Sequence, residues 1–212
     1  MPRITALTSQ KRNPNRLNVF LEGDFAFSVE RIVAAWLSVG DEVDTEKVQA
    51  ILQKDELERA YLRSLWFLSV RVRSVHEVSV RLEEAGYSPM SIEKTVERLL
   101  SAGLLSDAEF AHTWVENRCA FRPRAKRALV LELRQKGIID NEIQLAVRNL
   151  DETKLAQQAA EMVSTRFEKL PFDEFRKKLF GYLTRRGFNY GTAIEAIQIT
   201  WQQAHANAET LH

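Results

Sequence analysis

Residues 118–136 hold Arg118, Arg122, Arg124, Lys126, Arg127, Arg134 and Lys136, with Glu132 as the one acid among them, a local excess of +6 in 19 residues. Such a cluster suits a polyanion, because each neutralised phosphate releases counterions and each guanidinium offers a planar fork of donors. The pattern recurs: "RVRS" places Arg71 and Arg73 51 residues before Arg122 and Arg124 of "RPRA". Further along, "RKK" contributes Lys177 and Lys178, and "RR" contributes Arg185 and Arg186. A solvated helical face is the plainer explanation of any one cation. Recurrence of Arg-x-Arg at one register points instead to binding of DNA phosphate or of an acidic protein surface. Base-specific readout does not follow, since a two-helix corner with a glycine is also an ordinary way to turn a chain.

Other chemistry finds little support. No glycine-rich phosphate cradle followed by Lys and Ser or Thr is present. The four histidines, His76, His112, His205 and His212, lack metal-ligand spacing. His112 and Cys119 share a helical face but have no third polar partner. Asp140, Asn141 and Glu142 follow Gly137 closely and read as a helix N-terminus, where exposed amides favour acids. The expectation is a binding protein and not an enzyme, with no catalytic residue, no metal and no cofactor. Trp36, Trp66, Trp114 and Trp201 all fall in apolar periodic runs and are expected in cores.

The 212 residues contain 30 Lys and Arg against 29 Asp and Glu, so overall charge names no partner. A lone cysteine excludes an internal disulfide. No apolar run approaches the roughly 20 residues of a membrane helix, and the N-terminus lacks a signal-type apolar core. The expected protein is cytosolic and monomeric.

These cations need elements to hold them. Ile4–Gln10, the alternating Leu17, Val19 and Leu21, and "FAFSV" (25–29) read as strands of a small meander, with turns at "KRNPN" and "EGD". From Val29 the period becomes helical through Ile32, Val33, Trp36 and Leu37, stopping at Gly40. A second helical run begins near Asp44 and extends, with or without a break, towards Ser69. No strand is expected after residue 30.

Three glycines, Gly86, Gly137 and Gly187, lie 51 and then 50 residues apart. Four positions before them stand Leu82, Leu133 and Leu183, and one after stand Tyr87, Ile138 and Phe188. That is the pattern of a helix closed by a Schellman turn, with glycine at C′ and an apolar C″ packing back on C3. Val96, Val147 and Ile197 keep the register downstream, and Ala60 and Ala111 keep it upstream. The third copy departs: it offers "FDEF" where the basic turns stand, and Ala160 suggests a longer first helix. "SDAE" (106–109) is a capping box opening the second copy. A period near 50 with three helical segments indicates tandem three-helix repeats, in preference to one helical domain with coincidental caps.

The fold class is therefore mainly α, three tandem three-helix repeats after a small N-terminal β-containing extension. The expected divisions are 1–55 for the β-meander plus helix, 56–105, 106–150 and 151–202 for the repeats, and 203–212 for a C-terminal tail.

"YLRSLWFLSVRVRSVHEVSVRLEEAG", "GLLSDAEFAHTW" and "FRPRAKRALVLELRQKGI" together resemble the RecX family of bacterial recombination regulators. "LFGYLTRRGFNYGTAIEAI" resembles that family's third repeat, and "RLNVFLEGDFAFSV" its β-containing extension. The resemblance implies a non-catalytic regulator of the recombinase RecA. It would bind the RecA–DNA filament, lie along its groove, and inhibit strand exchange, ATP hydrolysis and co-protease action in DNA repair and the SOS response. With that partner, the charge pattern puts Arg71, Arg73, Arg118, Arg122, Arg124, Lys126, Arg127, Arg134, Lys136, Lys177, Lys178, Arg185 and Arg186 forward for contacts with RecA or with single- or double-stranded DNA, and which repeat meets which is left open. The alternative is an autonomous DNA-binding protein gripping DNA by its helix-turn-helix corners.

Overall fold

The structure, a computed structural model, describes residues 1–209, with side chains to residue 204. It divides into two compact units, Met1–Leu105 and the chain from Ser106 onward.

The first unit opens with an antiparallel sheet of β1 (Ile4–Ser9), β2 (Arg16–Leu21) and β3 (Asp24–Glu30), paired in that order. Glu22 and Gly23 both have positive φ, the backbone of a two-residue primed hairpin whose twist suits the flanking strands. Alternation sends Ile4, Val19, Phe27 and Val29 into a core completed by Ala34, Val43 and Ile51. A one-turn helix α1 (Arg31–Ala34) follows. The helical period after Val29 suggested a longer one. Instead the chain bends so that the Gly40 amide bonds the Ile4 carbonyl at 2.8 Å and the Ile4 amide bonds the Asp41 carbonyl at 2.9 Å. Backbone pairing with the edge of β1 prevails over local helical preference, and it leaves Trp36 88% exposed, not in the core.

Helix α2 (Thr45–Leu68) is unbroken and runs across residues 55 and 56, where the sequence pattern suggested a division between β extension and repeat. Asp55 fastens the sheet to it. One carboxylate oxygen accepts the Glu30 amide at 2.6 Å, while Arg16 bridges Glu30 at 2.8 Å and Asp55 at 3.3 Å. Farther along, Ala60 and Ser64 are buried beneath α3 (Val75–Glu83) and α4 (Pro89–Ser101). Leu62 and Trp66 stand two residues on from those positions, about 200° round the helix. Trp66 is accordingly 68% exposed, which corrects its assignment to the core.

The second unit holds α5 (Asp107–Phe121), α6 (Lys126–Gln135) and α7 (Asp140–Val147), then α8 (Glu152–Ser164), α9 (Phe172–Arg185) and α10 (Tyr190–Glu209). Trp114 and Trp201 are half-buried here. Helix α8 has 13 residues against 15 in α5, so the third copy does not lengthen its first helix. It lengthens its second, because "FDEF" supplies an extra turn at the start of α9. Helix α10 also continues through 203–209, the expected tail, since no Gly or Pro stops it. Residues 210–212, with His212, lie outside the described residues, as does the side chain of His205.

The three turns close alike. The amides of Tyr87, Ile138 and Phe188 reach the carbonyls of Leu82, Leu133 and Leu183 at 3.2, 3.1 and 3.2 Å. The amides of Gly86, Gly137 and Gly187 bond the carbonyls of Glu83, Arg134 and Thr184 at 2.9, 3.0 and 3.0 Å, with φ of 82, 78 and 93°. The three leucines and Ala60, Ala111 and Ala160 are all buried. Gly103 closes α4 in the same way, with the Leu104 amide bonding the Leu99 carbonyl at 2.9 Å.

Gly187 carries an added constraint. A Cβ there would stand 3.0 Å from that of Ala128, whereas one on Gly86 would meet nothing within 4 Å. Gly86→Ala is expected to cost about 1–2 kcal/mol for the left-handed backbone alone. Gly187→Ala is expected to cost about 1 kcal/mol more, from crowding against Ala128. Urea unfolding of both variants checks this; equal losses would contradict it.

Candidate functional site

The two Arg-x-Arg turns engage their arginines differently: both are engaged in the first, and only Arg124 in the second. In the first, the Arg71 guanidinium forks onto both Glu77 oxygens at 3.0 Å and remains partly exposed. Glu77 sits in the first turn of α3, where Ser74 caps it. Arg73 lies flat over the Phe67 ring, 3.9 Å from its centroid. Burial, and then the neighbouring Arg71 charge, push the Arg73 pKa down, with Glu77 opposing.

The second turn joins α5 to α6 through buried Pro123 and Ala125. Ala125 offers no cap side chain, and the Lys126 amide instead donates to Glu152 on α8 at 3.0 Å. Glu132 gathers the neighbouring donors. One oxygen accepts from Trp114 Nε1 and Arg118 Nε, each at 2.8 Å, and the other pairs with Arg124 at 2.8 Å. Arg118 stacks over Trp114 at 4.3 Å, and Lys136 approaches the same ring at 5.3 Å. Arg134 pairs with Asp140 at 2.9 Å on the surface. Much of the +6 excess is therefore tied into the packing of α5 on α6. Arg134 turns instead to Asp140 of α7, and Arg122 and the side chain of Lys126 have no ion pair among the described residues.

The third repeat adds to this turn directly. The Ala125 amide bonds the Arg186 carbonyl at 3.1 Å, and Arg186 Nη1 reaches the Pro123 carbonyl at 3.4 Å. Arg127 Nε donates to the Gly187 carbonyl, while Arg186 covers the Tyr182 ring at 4.4 Å. "RPRA" and "RRG" thus lock side by side. An open groove of about 510 Å³ lies at this junction, lined by Lys126, Arg127, Arg134, Leu131, Gln144 and Asn189 among others. Arg185, Lys177 and Lys178 are exposed on α9 without ion pairs among the described residues. Arg176, the first residue of "RKK", joins Lys177 around a hollow where Tyr190 packs edge-on against Phe180 at 5.5 Å.

His112 meets Glu116 one helical turn on at 3.3 Å. Burial pushes the Cys119 thiol up, away from the reactive thiolate. Among the described residues no three His, Cys, Asp or Glu side chains gather as metal ligands, and no helix is long and apolar enough to cross a membrane.

Comparison with known proteins gives concordant matches. Residues 2–44 match the regulatory protein RecX N-terminal domain, 60–99 the first RecX three-helix domain, and 106–147 the second. Regulatory protein RecX of Bacillus subtilis (strain 168) is 34% identical over 195 residues, covering 90% of this chain and 74% of its own. That of Bacillus licheniformis is 31% identical over 214 residues, covering 99% and 81%. A crystal structure of regulatory protein RecX superposes with a TM-score of 0.71 at 26% identity, covering 91% of this chain and 97% of its own. RecX from Lactobacillus salivarius, at 22% identity and a TM-score of 0.59 over 69% of this chain, shares the fold.

The Glu132 cluster yields a stability contrast. Glu132→Ala strands Trp114 Nε1 and two guanidinium groups and is expected to cost about 1–3 kcal/mol. Arg122→Ala touches nothing folded and should stay within about 0.5 kcal/mol. Denaturant midpoints measure both, and a neutral Glu132→Ala would show that the cluster holds nothing.

Proposed function

The chain belongs to the RecX family of regulatory proteins, and from that premise we propose that it binds the RecA–DNA filament. It restrains the recombinase, ATPase and co-protease activities of RecA and performs no chemistry itself. The observation that carries this reading is the locked pair of turns in the second unit. Packing fixes the backbone through Ala125, Arg127 and Arg186, while Arg122, Lys126 and Arg185 keep their charges available beside it. A rigid scaffold with free cations can meet phosphate or a carboxylate surface without the entropy cost of first ordering a loop.

The same division refines the assigned residues. Arg122, Lys126, Arg185, Lys177 and Lys178 make contacts, and Arg71 of the first repeat joins them by exchanging Glu77 for a phosphate or carboxylate of the partner. Arg73, Arg118, Arg124, Arg127 and Arg186 hold the turns in shape, and Arg134 and Lys136 flank them. Autonomous DNA binding by helix-turn-helix corners makes a different prediction, because it needs no RecA.

Binding to RecA-coated and to bare single-stranded DNA separates the two. The wild type should prefer the coated strand. The triple variant Arg122→Ala, Lys126→Ala, Arg185→Ala should lose affinity for it by about tenfold or more, with an unchanged melting temperature. Its salt dependence should flatten by roughly one unit of slope for each phosphate no longer neutralised. A folded triple variant with wild-type affinity would remove these residues from the interface, and equal affinity for bare DNA would favour the corner-binding alternative.

A further inference from the structure

From Arg59 to Arg73 the chain has four arginines, the aromatics Tyr61, Trp66 and Phe67, and no acid. Most part-exposed rings here are roofed by a guanidinium. Arg73 covers Phe67 at 3.9 Å, Arg98 covers Tyr61 at 3.5 Å, and Arg59 lies over Tyr87 at 5.7 Å. Trp66 is the exception on this helix. The residue is 68% exposed, and among the described residues no ring or cation covers its indole.

Its helical neighbours are equally telling. Positions three and four residues away on either side are Leu62, Arg63, Ser69 and Val70. Arg63 is exposed and has no ion pair among the described residues, and no acid stands three or four residues from it on the helix. Five residues beyond Trp66 lies Arg71, exposed at the first basic turn although forked onto Glu77.

We propose that Trp66, with Arg63 beside it, is a stacking platform for an unpaired base of single-stranded nucleic acid. A flat, uncovered indole gives any base a π-face, and the adjacent cation meets the backbone phosphate. That pairing is the general chemistry of sequence-tolerant single-strand binding. An apolar protein segment would also find the stripe of Leu62, Trp66 and Val70, but nothing in it would use the unpaired cation of Arg63 beside that stripe. The platform rests on the proposed function only in extending the nucleic-acid contact of the Arg71 turn along α2.

Fluorescence anisotropy with the full chain tests it, on a 20-nucleotide oligo(dT), an abasic strand of equal length and a duplex. Trp66→Ala should weaken oligo(dT) binding about tenfold, within the range for removing one base–aromatic stack. The abasic strand and duplex should be unaffected. Trp66→Phe, which keeps a ring, should retain most of the affinity, and Arg63→Ala should weaken both single strands with a shallower salt dependence. Wild-type oligo(dT) binding by Trp66→Ala, an equal loss on the abasic strand, or no wild-type binding to oligo(dT) would each overturn the platform. A loss confined to RecA-coated DNA would assign the face to protein and overturn it too. If the stacking result holds while the wild type shows no preference for RecA-coated DNA, the platform stands and the filament reading falls.

Discussion

A helix can be followed by another at a fixed angle only if its last carbonyls are satisfied, and here one turn does that repeatedly. Leucine at C3, glycine at C′ and an apolar C″ residue form two backbone hydrogen bonds and tuck two side chains into the core. The turn works only with positive φ at C′, where an L side chain is strained. Because Leu82, Leu133 and Leu183 are each buried by the closure they start, ending the second helix and packing the repeat are one event. At Gly187 the same constraint serves a second purpose, since the missing Cβ lets α6 approach through Ala128 and brings the two basic turns together.

That scaffold sorts the cations. An arginine over an aromatic ring, or forked onto a half-buried carboxylate, has committed its donors to the fold and contributes shape. Arg73 on Phe67 and Arg124 on Glu132 are of this kind, although they occupy the same register for different reasons. An exposed arginine next to a fixed backbone contributes charge, and Arg122 is of that kind. In "RPRA" the pattern therefore divides into a clamp, Arg124, and an exposed cation, Arg122, whereas in "RVRS" both arginines are engaged by the fold.

The repeat was legible because its determinants are local: the spacing of leucine, glycine and the next apolar residue needs no knowledge of the rest of the chain. The β hairpins and the capping box at Ser106 were legible for the same reason. Features decided by distant partners were not. Gly40 and Asp41 pair with β1, which cut α1 to one turn and exposed Trp36. Burial on α2 follows Ala60 and Ser64, so a tryptophan in an apolar-looking run faces outward. Within the candidate site, composition found the cations but treated Glu132 as a simple offset. Its role depends on Trp114 and Arg118 from α5, a partnership no spacing rule announces.

The central claim is that a non-catalytic scaffold of helical repeats restrains RecA through charges held at its turns. The most direct test is RecA ATP hydrolysis on single-stranded DNA, with this protein titrated in at two salt concentrations. The account predicts inhibition at well below one molecule per RecA, persisting at salt that abolishes binding to bare DNA. Undiminished hydrolysis in the presence of tight binding to bare DNA would contradict it.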